Sequence, residues 1–216
     1  MKHEDTFRHK GLRRKLVDEL HLKGIINTDV LDAINKVPRH VFMDSSFINF
    51  AYKDQAFPIA AGQTISQPYT VAFQTQLLEI EKLDKVMEIG TGSGYQCAVL
   101  LEMGAQVFTI ERHRELFIKA QSILLHLNYK PHFFFGDGYE GVPAYAPFDK
   151  IIVTAGGSDI PEQLLGQLKI GGKLIMPVGS SNSQRMTLVE KLSANEYRTS
   201  EHGSFIFVPL LKGKSY

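Results

Sequence analysis

A single cysteine, Cys97, and no tryptophan stand in a chain of 216 residues. One thiol cannot close an internal disulfide, which agrees with a reducing compartment. Its neighbours Ala98, Val99, Leu100 and Leu101 are apolar, so Cys97 is expected to be a small buried hydrophobe rather than a nucleophile. Charge of one sign is also missing. Lys and Arg number 24 against 23 Asp and Glu, a net +1 with the histidines neutral, and no long run invites nucleic acid or an acidic membrane. The densest basic stretch, His9, Lys10, Arg13, Arg14 and Lys15, is interleaved with Leu12, Leu16 and Leu20 at helical spacing and is expected to be a solvated helix face. The opening Met1 to Asp5 is polar, and with no apolar run of the length a secretion leader or membrane span needs, the expected location is the cytoplasm. The eight histidines are scattered, without a His-Glu-x-x-His pattern or a Cys/His pair. No metal site is expected.

What is present is a periodicity that changes along the chain. A chain of this length can bury roughly 70% of its unfolded surface, enough for one complete core, and residues 1–216 read as one domain. In residues 1–50 the apolar positions Leu12, Leu16, Val17 and Leu20 predict a helix that stops at Gly24. A second helix is predicted from a cap at Thr28 through Val30, Leu31 and Ile34, ending before Pro38. Residues 51–84 open with a segment, Ala51 to Pro68, that carries Pro58, Gly62 and Pro68 among polar residues and reads as a long functional loop leading into a helix. From Lys85 onward short β-rich runs alternate with helical ones, the pattern of a doubly wound, mainly parallel α/β sheet covered on both faces. The predicted strands are Val86 to Ile89, Gln106 to Ile110, His132 to Phe135, Lys150 to Thr154 and Lys173 to Pro177. Helices are predicted from Tyr95 to Met103, His113 to Leu127 and Pro161 to Leu168. Thr187 to Lys191 and Ser204 to Val208 read as antiparallel closing strands.

The chemistry gathers at the ends of those strands. Val86 to Ile89 runs into Gly90-Thr91-Gly92-Ser93-Gly94-Tyr95, where glycines permit positive φ and close approach of a ligand to the backbone at the carboxyl edge of a sheet. A dinucleotide fingerprint needs Gly-x-Gly-x-x-Gly; here Gly94 comes one residue early, which favours a nucleoside without a pyrophosphate. Three acidic residues accompany the turn. Glu88 interrupts an apolar strand, where an ionised carboxylate needs a cation or several donors, and a sulfonium cofactor with an ammonium group would supply both. Glu111, ending Phe108-Thr109-Ile110-Glu111, can accept from two ribose hydroxyls. Asp137, in Gly136-Asp137-Gly138, is placed to accept from an adenine amino group. The alternative for each is a cap on the next helix or turn.

The run Ala51-Tyr52-Lys53-Asp54, continuing through Gly62-Gln63-Thr64-Ile65-Ser66-Gln67-Pro68, resembles the defining segment of the protein-L-isoaspartate O-methyltransferases. Val37-Pro38-Arg39 with Phe42, the Glu88 to Tyr95 turn, Gly136-Asp137-Gly138, Phe148 to Thr154, Gly171 to Leu174 and Phe207-Val208-Pro209-Leu210 extend the likeness over nearly the whole chain. Ala60 stands where that family often has glycine, Gln55-Ala56-Phe57 is unusual before Pro58, and Ala155-Gly156-Gly157 replaces a more alanine-rich stretch. The resemblance implies a Rossmann-like fold of the S-adenosylmethionine-dependent methyltransferase type, with an N-terminal helical addition. It implies methyl transfer from S-adenosylmethionine to the free α-carboxylate of isoaspartyl residues in damaged proteins and peptides, giving an ester that cyclises to a succinimide and begins repair. For the residues it implies Ser66 as the catalytic donor, Gln63, Thr64, Glu88, Gly90, Thr91, Gly92, Glu111, Asp137 and Gly138 around the cofactor, and Thr64, Ser66 and Val208 against the substrate.

Such a carboxylate has an ordinary pKa of about 3.5 to 4 and is already anionic at neutral pH. No strong base is required, which fits the lack of an obvious catalytic His or Cys. A Ser66 that merely caps the turn before Gln67-Pro68 is the competing view. Two other functions share the cofactor turn: methylation of RNA or a small molecule, and cofactor binding without turnover by a protein that uses Phe205 to Leu210 for partner contacts. Near-neutral charge weighs against RNA, and the Gln63 to Pro68 run weighs against both.

Overall fold

The computed structural model describes residues 4–216; Met1 to His3 of the polar opening segment lie outside the described residues. The helix α1 (Phe7–Leu22) is capped by Thr6, whose hydroxyl accepts from the His9 N–H, and buries Arg13, Leu16 and Leu20 on one face. The expected solvated basic face is therefore only partly so. Lys10, Arg14 and Lys15 are exposed, whereas Arg13, at helical spacing from Leu16 and Leu20, turns inward and meets Asp5 (2.9 Å) and the Tyr52 hydroxyl (3.1 Å). The helix α2 (Thr28–Lys36) is capped by Asn27 rather than Thr28, since it is the Asn27 side chain that accepts from the Val30 N–H.

The segment 51–68 is more ordered than a loop. It folds into a small antiparallel hairpin, β1 (Phe57–Pro58) against β2 (Thr64–Ile65), around a tight turn at residues 60–62. The helix α3 (Pro68–Leu78) follows directly, with proline in its first turn, where no donor is lost.

Seven strands make the central sheet: β3 (Lys85–Ile89), β4 (Gln106–Glu111), β5 (His132–Phe135), β6 (Phe148–Val153), β7 (Leu168–Ser180), β8 (Ser183–Lys191) and β9 (Tyr197–Phe205). Their order is β5-β4-β3-β6-β7-β8-β9. The pairs from β5 to β7 are parallel, and β8 and β9 close the sheet antiparallel. The helices α4 (Tyr95–Glu102), α5 (Arg114–His126) and α6 (Glu162–Gly166) connect the parallel strands. Strand pleating divides the core in two. Val86, Val107, Ile152 and Ile175 pack with Leu20, Ile34, Leu78 and Val99 on one face; Met87, Ile89, Ile151, Val153 and Leu174 pack with Phe148 and Leu164 on the other. Cys97 is buried in the first layer.

Boundaries differ from expectation in the last third of the chain, where β7 and β8 begin before the predicted Lys173 and Thr187. The last helix is shorter than Pro161 to Leu168, because β7 begins at Leu168 and extends to the hairpin with β8. The last strand lies earlier than Ser204 to Val208. β9 is an edge strand with mostly exposed side chains, so it carries no apolar alternation, and the apolar run beyond Phe205 leaves the sheet to cross Gly156.

Candidate active site

In this sheet the order of strand connection reverses between the parallel neighbours β3 and β6, and a crevice opens at the carboxyl ends of the strands beside such a switch point. The turn after β3 forms its floor. Gly90 has φ +92, and a Cβ there would lie 2.6 Å from the Thr154 hydroxyl, which is held between the carbonyls of Ile89 (3.0 Å) and Gly90 (2.7 Å). Only glycine fits. Gly92, at φ +54, donates its N–H to Glu111 (2.8 Å), whose other oxygen accepts from the His113 N–H (2.8 Å). A cleft opens above this turn, with about 780 Å³ of space counted out into open solvent. Its walls include Gln63, Thr64, Ser66, Gly90, Thr91, Gly92, Glu111, Gly138 and Val208, so the structure brings together nine of the residues singled out from sequence.

Glu88 and Asp137 are not among the residues lining that cleft. Along β3 the pleat alternates, and Glu88 falls on the same face as Val86, under the helix layer, with no exposed surface. Thr109 donates to one carboxylate oxygen, while the other is buried without a partner. Burial, opposed by the Thr109 bond and reinforced by the charge of Glu111, pushes its pKa up to about 8. Glu88 therefore lies beneath the glycine turn rather than on the cleft wall, linked to it because its partner Thr109 also bonds Thr91. Asp137 has both oxygens engaged by backbone, accepting from the N–H groups of Tyr139 (2.9 Å) and Gly213 (2.6 Å). It thereby holds the turn after β5 to the segment around Gly213. Its neighbour Gly138 is the residue that reaches the cleft, packed so closely that a Cβ would lie 2.4 Å from Ile89.

The opposite wall is the hairpin arm Gln63 to Ser66. Strand alternation along β2 sends Ile65 into the core and leaves Thr64 and Ser66 on the accessible side. Ser66 does not cap α3: the cap position is Gln67, which makes no side-chain capping bond. The open N–H of Tyr69 is taken instead by Asp54 (2.8 Å), whose second oxygen accepts from Gln67 (3.0 Å) and from Lys23 (2.7 Å). Asp54, present in the sequence motif without an assigned role, thus ties the start of the 51–68 segment to the beginning of α3 and the end of α1. The buried guanidinium of Arg39 holds the start of the same segment through the carbonyls of Ala51 (3.0 Å) and Gln55 (3.3 Å).

Other parts of the site were missed. Arg112 and His113 line the cleft beside Glu111, and Pro209, Leu210 and Leu211 complete the wall that Val208 begins. The signal for the first two was their position one and two residues past a strand-end acid. The terminal segment carried none, because it is held through backbone: Gly156 donates to the Val208 carbonyl (2.8 Å), Leu210 to that of Gly156 (2.7 Å), and Arg112 to that of Gly213 (3.0 Å). Away from the cleft, folding brings Asp5, His9 and His40 together, with ligand atoms within 4.8 Å. Arg13 occupies both Asp5 oxygens and His40 pairs with the Tyr52 hydroxyl (2.7 Å). Burial, then the neighbouring His9, pushes the His40 pKa down to about 4, and the cluster clamps the chain start onto α1.

A family model for protein-L-isoaspartate (D-aspartate) O-methyltransferase matches residues 11–215. This chain belongs to that family. A protein-L-isoaspartate O-methyltransferase of Christiangramia forsetii is 58% identical over 98% of this chain and the whole of that protein. One from Dictyoglomus thermophilum is 45% identical over 95% of this chain and 94% of its own. Among solved structures, a protein-L-isoaspartate O-methyltransferase superposes with a TM-score of 0.83 at 29% identity, over 91% of this chain and 65% of that one. The fold is also that of a Plasmodium falciparum chain described as such an enzyme and crystallised with S-adenosyl-L-homocysteine, with a TM-score of 0.81 at 24% identity over 93% of this chain and 99% of that one. The family places the chain among S-adenosylmethionine-dependent methyltransferases. Among the described residues no helix is long and apolar enough to cross a membrane.

Proposed function

We propose that the chain methylates the free α-carboxylate of isoaspartyl residues in proteins and peptides, and that the cleft between the glycine turn and the Gln63 to Ser66 arm is where it does so. The observation that carries this reading is the pairing of a glycine-floored, carboxylate-rimmed cleft with a serine on its rim that is not used as a helix cap. The same reading takes residues 1–216 as one cytoplasmic methyltransferase domain with no nucleic-acid or membrane partner.

The residues fit S-adenosylmethionine. Gly90 and Gly138 present bare backbone to the cleft at positions where a Cβ would collide with Thr154 and Ile89, and Glu111, held by two backbone donors, keeps lone pairs for the ribose hydroxyls. When bound, that cofactor supplies an electrophilic methyl group on a sulfonium. Gln63, Thr64, Gly90, Thr91, Gly92, Glu111 and Gly138 form the proposed cofactor set. Thr64, Ser66 and Val208 form the substrate side, with Ser66 donating a hydrogen bond that orients the incoming carboxylate. Because that group is already an anion, the chain's work is orientation and exclusion of water, not proton removal.

The test is incubation with labelled S-adenosylmethionine and two peptides that differ only in an aspartyl or isoaspartyl linkage. The linkage shifts the carboxylate by one methylene, and a misplacement near 1 Å can cost about a hundredfold in rate. Label should enter the isoaspartyl peptide almost alone. Equal labelling would replace this reading with a general carboxyl methyltransferase.

A further inference from the structure

Beside the cofactor cleft, and sharing Thr64 and Ser66 with it, lies a second and larger concavity of about 1290 Å³. Its walls come from the start of α3 on one side and the end of β9 with the segment after it on the other. A row of rings runs along it: Tyr69 against Phe73 (5.6 Å between centroids), Phe73 against Phe205 (5.4 Å) and Phe205 against Phe207 (6.4 Å). Each of these rings is half-buried, packed on one side and open on the other. Ile206 stands 78% exposed at the rim. Although charged residues make up 22% of the chain, none of the residues lining the groove carries a charge.

We propose that this groove is a specificity subsite for the residue next to the isoaspartyl in the substrate, and that it selects an apolar or aromatic side chain there. The inference rests on the reading of Ser66 as the group that faces the substrate carboxylate. A peptide held at Ser66 must leave the cleft across the surface that Thr64 and Ser66 share with the groove, so the flanking side chain is the one that meets the rings. Apolar surface entering a concave aromatic wall leaves water on both sides. A Lys or Glu in the same place would be desolvated with no partner of opposite sign. The subsite touches none of the reacting groups beyond Ser66, so its effect belongs in KM more than in kcat.

The experiment uses four isoaspartyl peptides that differ only in the flanking residue: Phe, Gly, Glu or Lys. On the parent protein the Phe peptide should have a KM lower than the Gly peptide by about tenfold, and the two charged peptides should be no better than Gly. Phe205→Ser should reduce the Phe-to-Gly ratio to near one. Because Phe205 also packs on Phe73, Ile206→Glu at the exposed rim is the second variant; it should raise KM for the Phe peptide and lower it for the Lys peptide. Calorimetric affinity for S-adenosylhomocysteine, measured on each variant, reports whether the cofactor cleft is intact. Equal KM values for all four peptides, or a Phe preference untouched by both substitutions, would overturn the subsite while leaving the isoaspartyl reading in place. If even the Gly peptide accepts no methyl from protein that binds S-adenosylhomocysteine, the underlying reading of the activity fails instead.

Discussion

Ser66 and Glu88 carry opposite lessons about single residues. Ser66 follows β2 on the cleft side, and the helix it precedes is capped at Gln67 with Asp54 taking the Tyr69 N–H, so its hydroxyl is open to a ligand. Ser66→Ala should lower turnover by roughly a hundredfold or more, the usual loss when one donor to a reacting anion is removed, with S-adenosylmethionine affinity little changed. Single-turnover methylation alongside calorimetry checks this, and a stable mutant with the parent rate would remove Ser66 from the mechanism. Glu88 was conspicuous in sequence for the right reason, an acid in an apolar strand, yet its partner was not readable. Which face of β3 it occupies, and that Thr109 stands beside it, depends on strand register that only the folded sheet defines. Its pKa rises on folding from an ordinary 4.5 to about 8, so the folded protein holds a proton there that the unfolded chain has released. That stabilisation is full below the unfolded pKa and is lost as pH climbs from about 4.5 toward 8. A tenfold difference in proton affinity between the two states is worth about 1.4 kcal/mol. Glu88→Gln, which cannot titrate, should therefore gain on the parent across that window by an amount on the order of several kcal/mol. Urea unfolding at pH 5 and pH 8 measures the change; a gap that does not widen between them would show Glu88 to be uncoupled from folding.

Among elements, those with a strong apolar period were legible and those held by polar or backbone contacts were not. β3, β4, β5 and the central helices lie where periodicity puts them, because both faces of a parallel sheet must be covered and each buried run is short and apolar. β9 was misplaced because an edge strand needs no apolar face. The hairpin of β1 and β2 was hidden because two-residue strands have no period to detect, and its order comes from outside it. Asp54 anchors the flanking chain, reaching Gln67, Tyr69 and Lys23 from a side chain that is only 3% exposed. Its removal should release the arm that carries Ser66 without touching the floor of the cofactor cleft. Asp54→Ala should cost about 1 kcal/mol of stability from the lost cap. It should also lower methylation at saturating peptide by roughly 10- to 100-fold, since near 1 Å of misplacement is enough. Asp54→Asn, which keeps one acceptor for the Tyr69 N–H, should fall between the two. Cofactor affinity should stay within about twofold of the parent, because Asp54 donates nothing to the cleft. Loss of activity in proportion to loss of folded protein would reduce Asp54 to a stability residue.

At the scale of the molecule, the proposed cofactor cleft is assembled from stretches far apart in the chain: the Gln63 to Ser66 arm, the turn after β3, the end of β4, and the Val208 to Leu211 segment. An unfolded chain cannot present such a site, so a ligand that fills it binds the native state alone and adds RT ln(1 + [L]/Kd) to the unfolding free energy. At S-adenosylhomocysteine equal to 100 times its Kd the parent should gain about 2.7 kcal/mol. Glu111→Ala removes the carboxylate proposed to accept both ribose hydroxyls, at a cost on the order of 1.5 to 3 kcal/mol per charge-assisted bond before water compensates. A net loss of 10- to 100-fold in affinity would cut the increment at the same ligand concentration to about 1.4 to 0.4 kcal/mol. Glu111 also anchors the Gly92 and His113 N–H groups, so the ligand-free mutant should itself be less stable. Comparing each protein with and without ligand separates that structural cost from the lost binding. Ser66→Ala should keep the full increment, since Ser66 is assigned to the substrate carboxylate. Were Glu111→Ala to gain as much as the parent while Ser66→Ala gained less, the assignments of the two walls of the cleft would have to be exchanged.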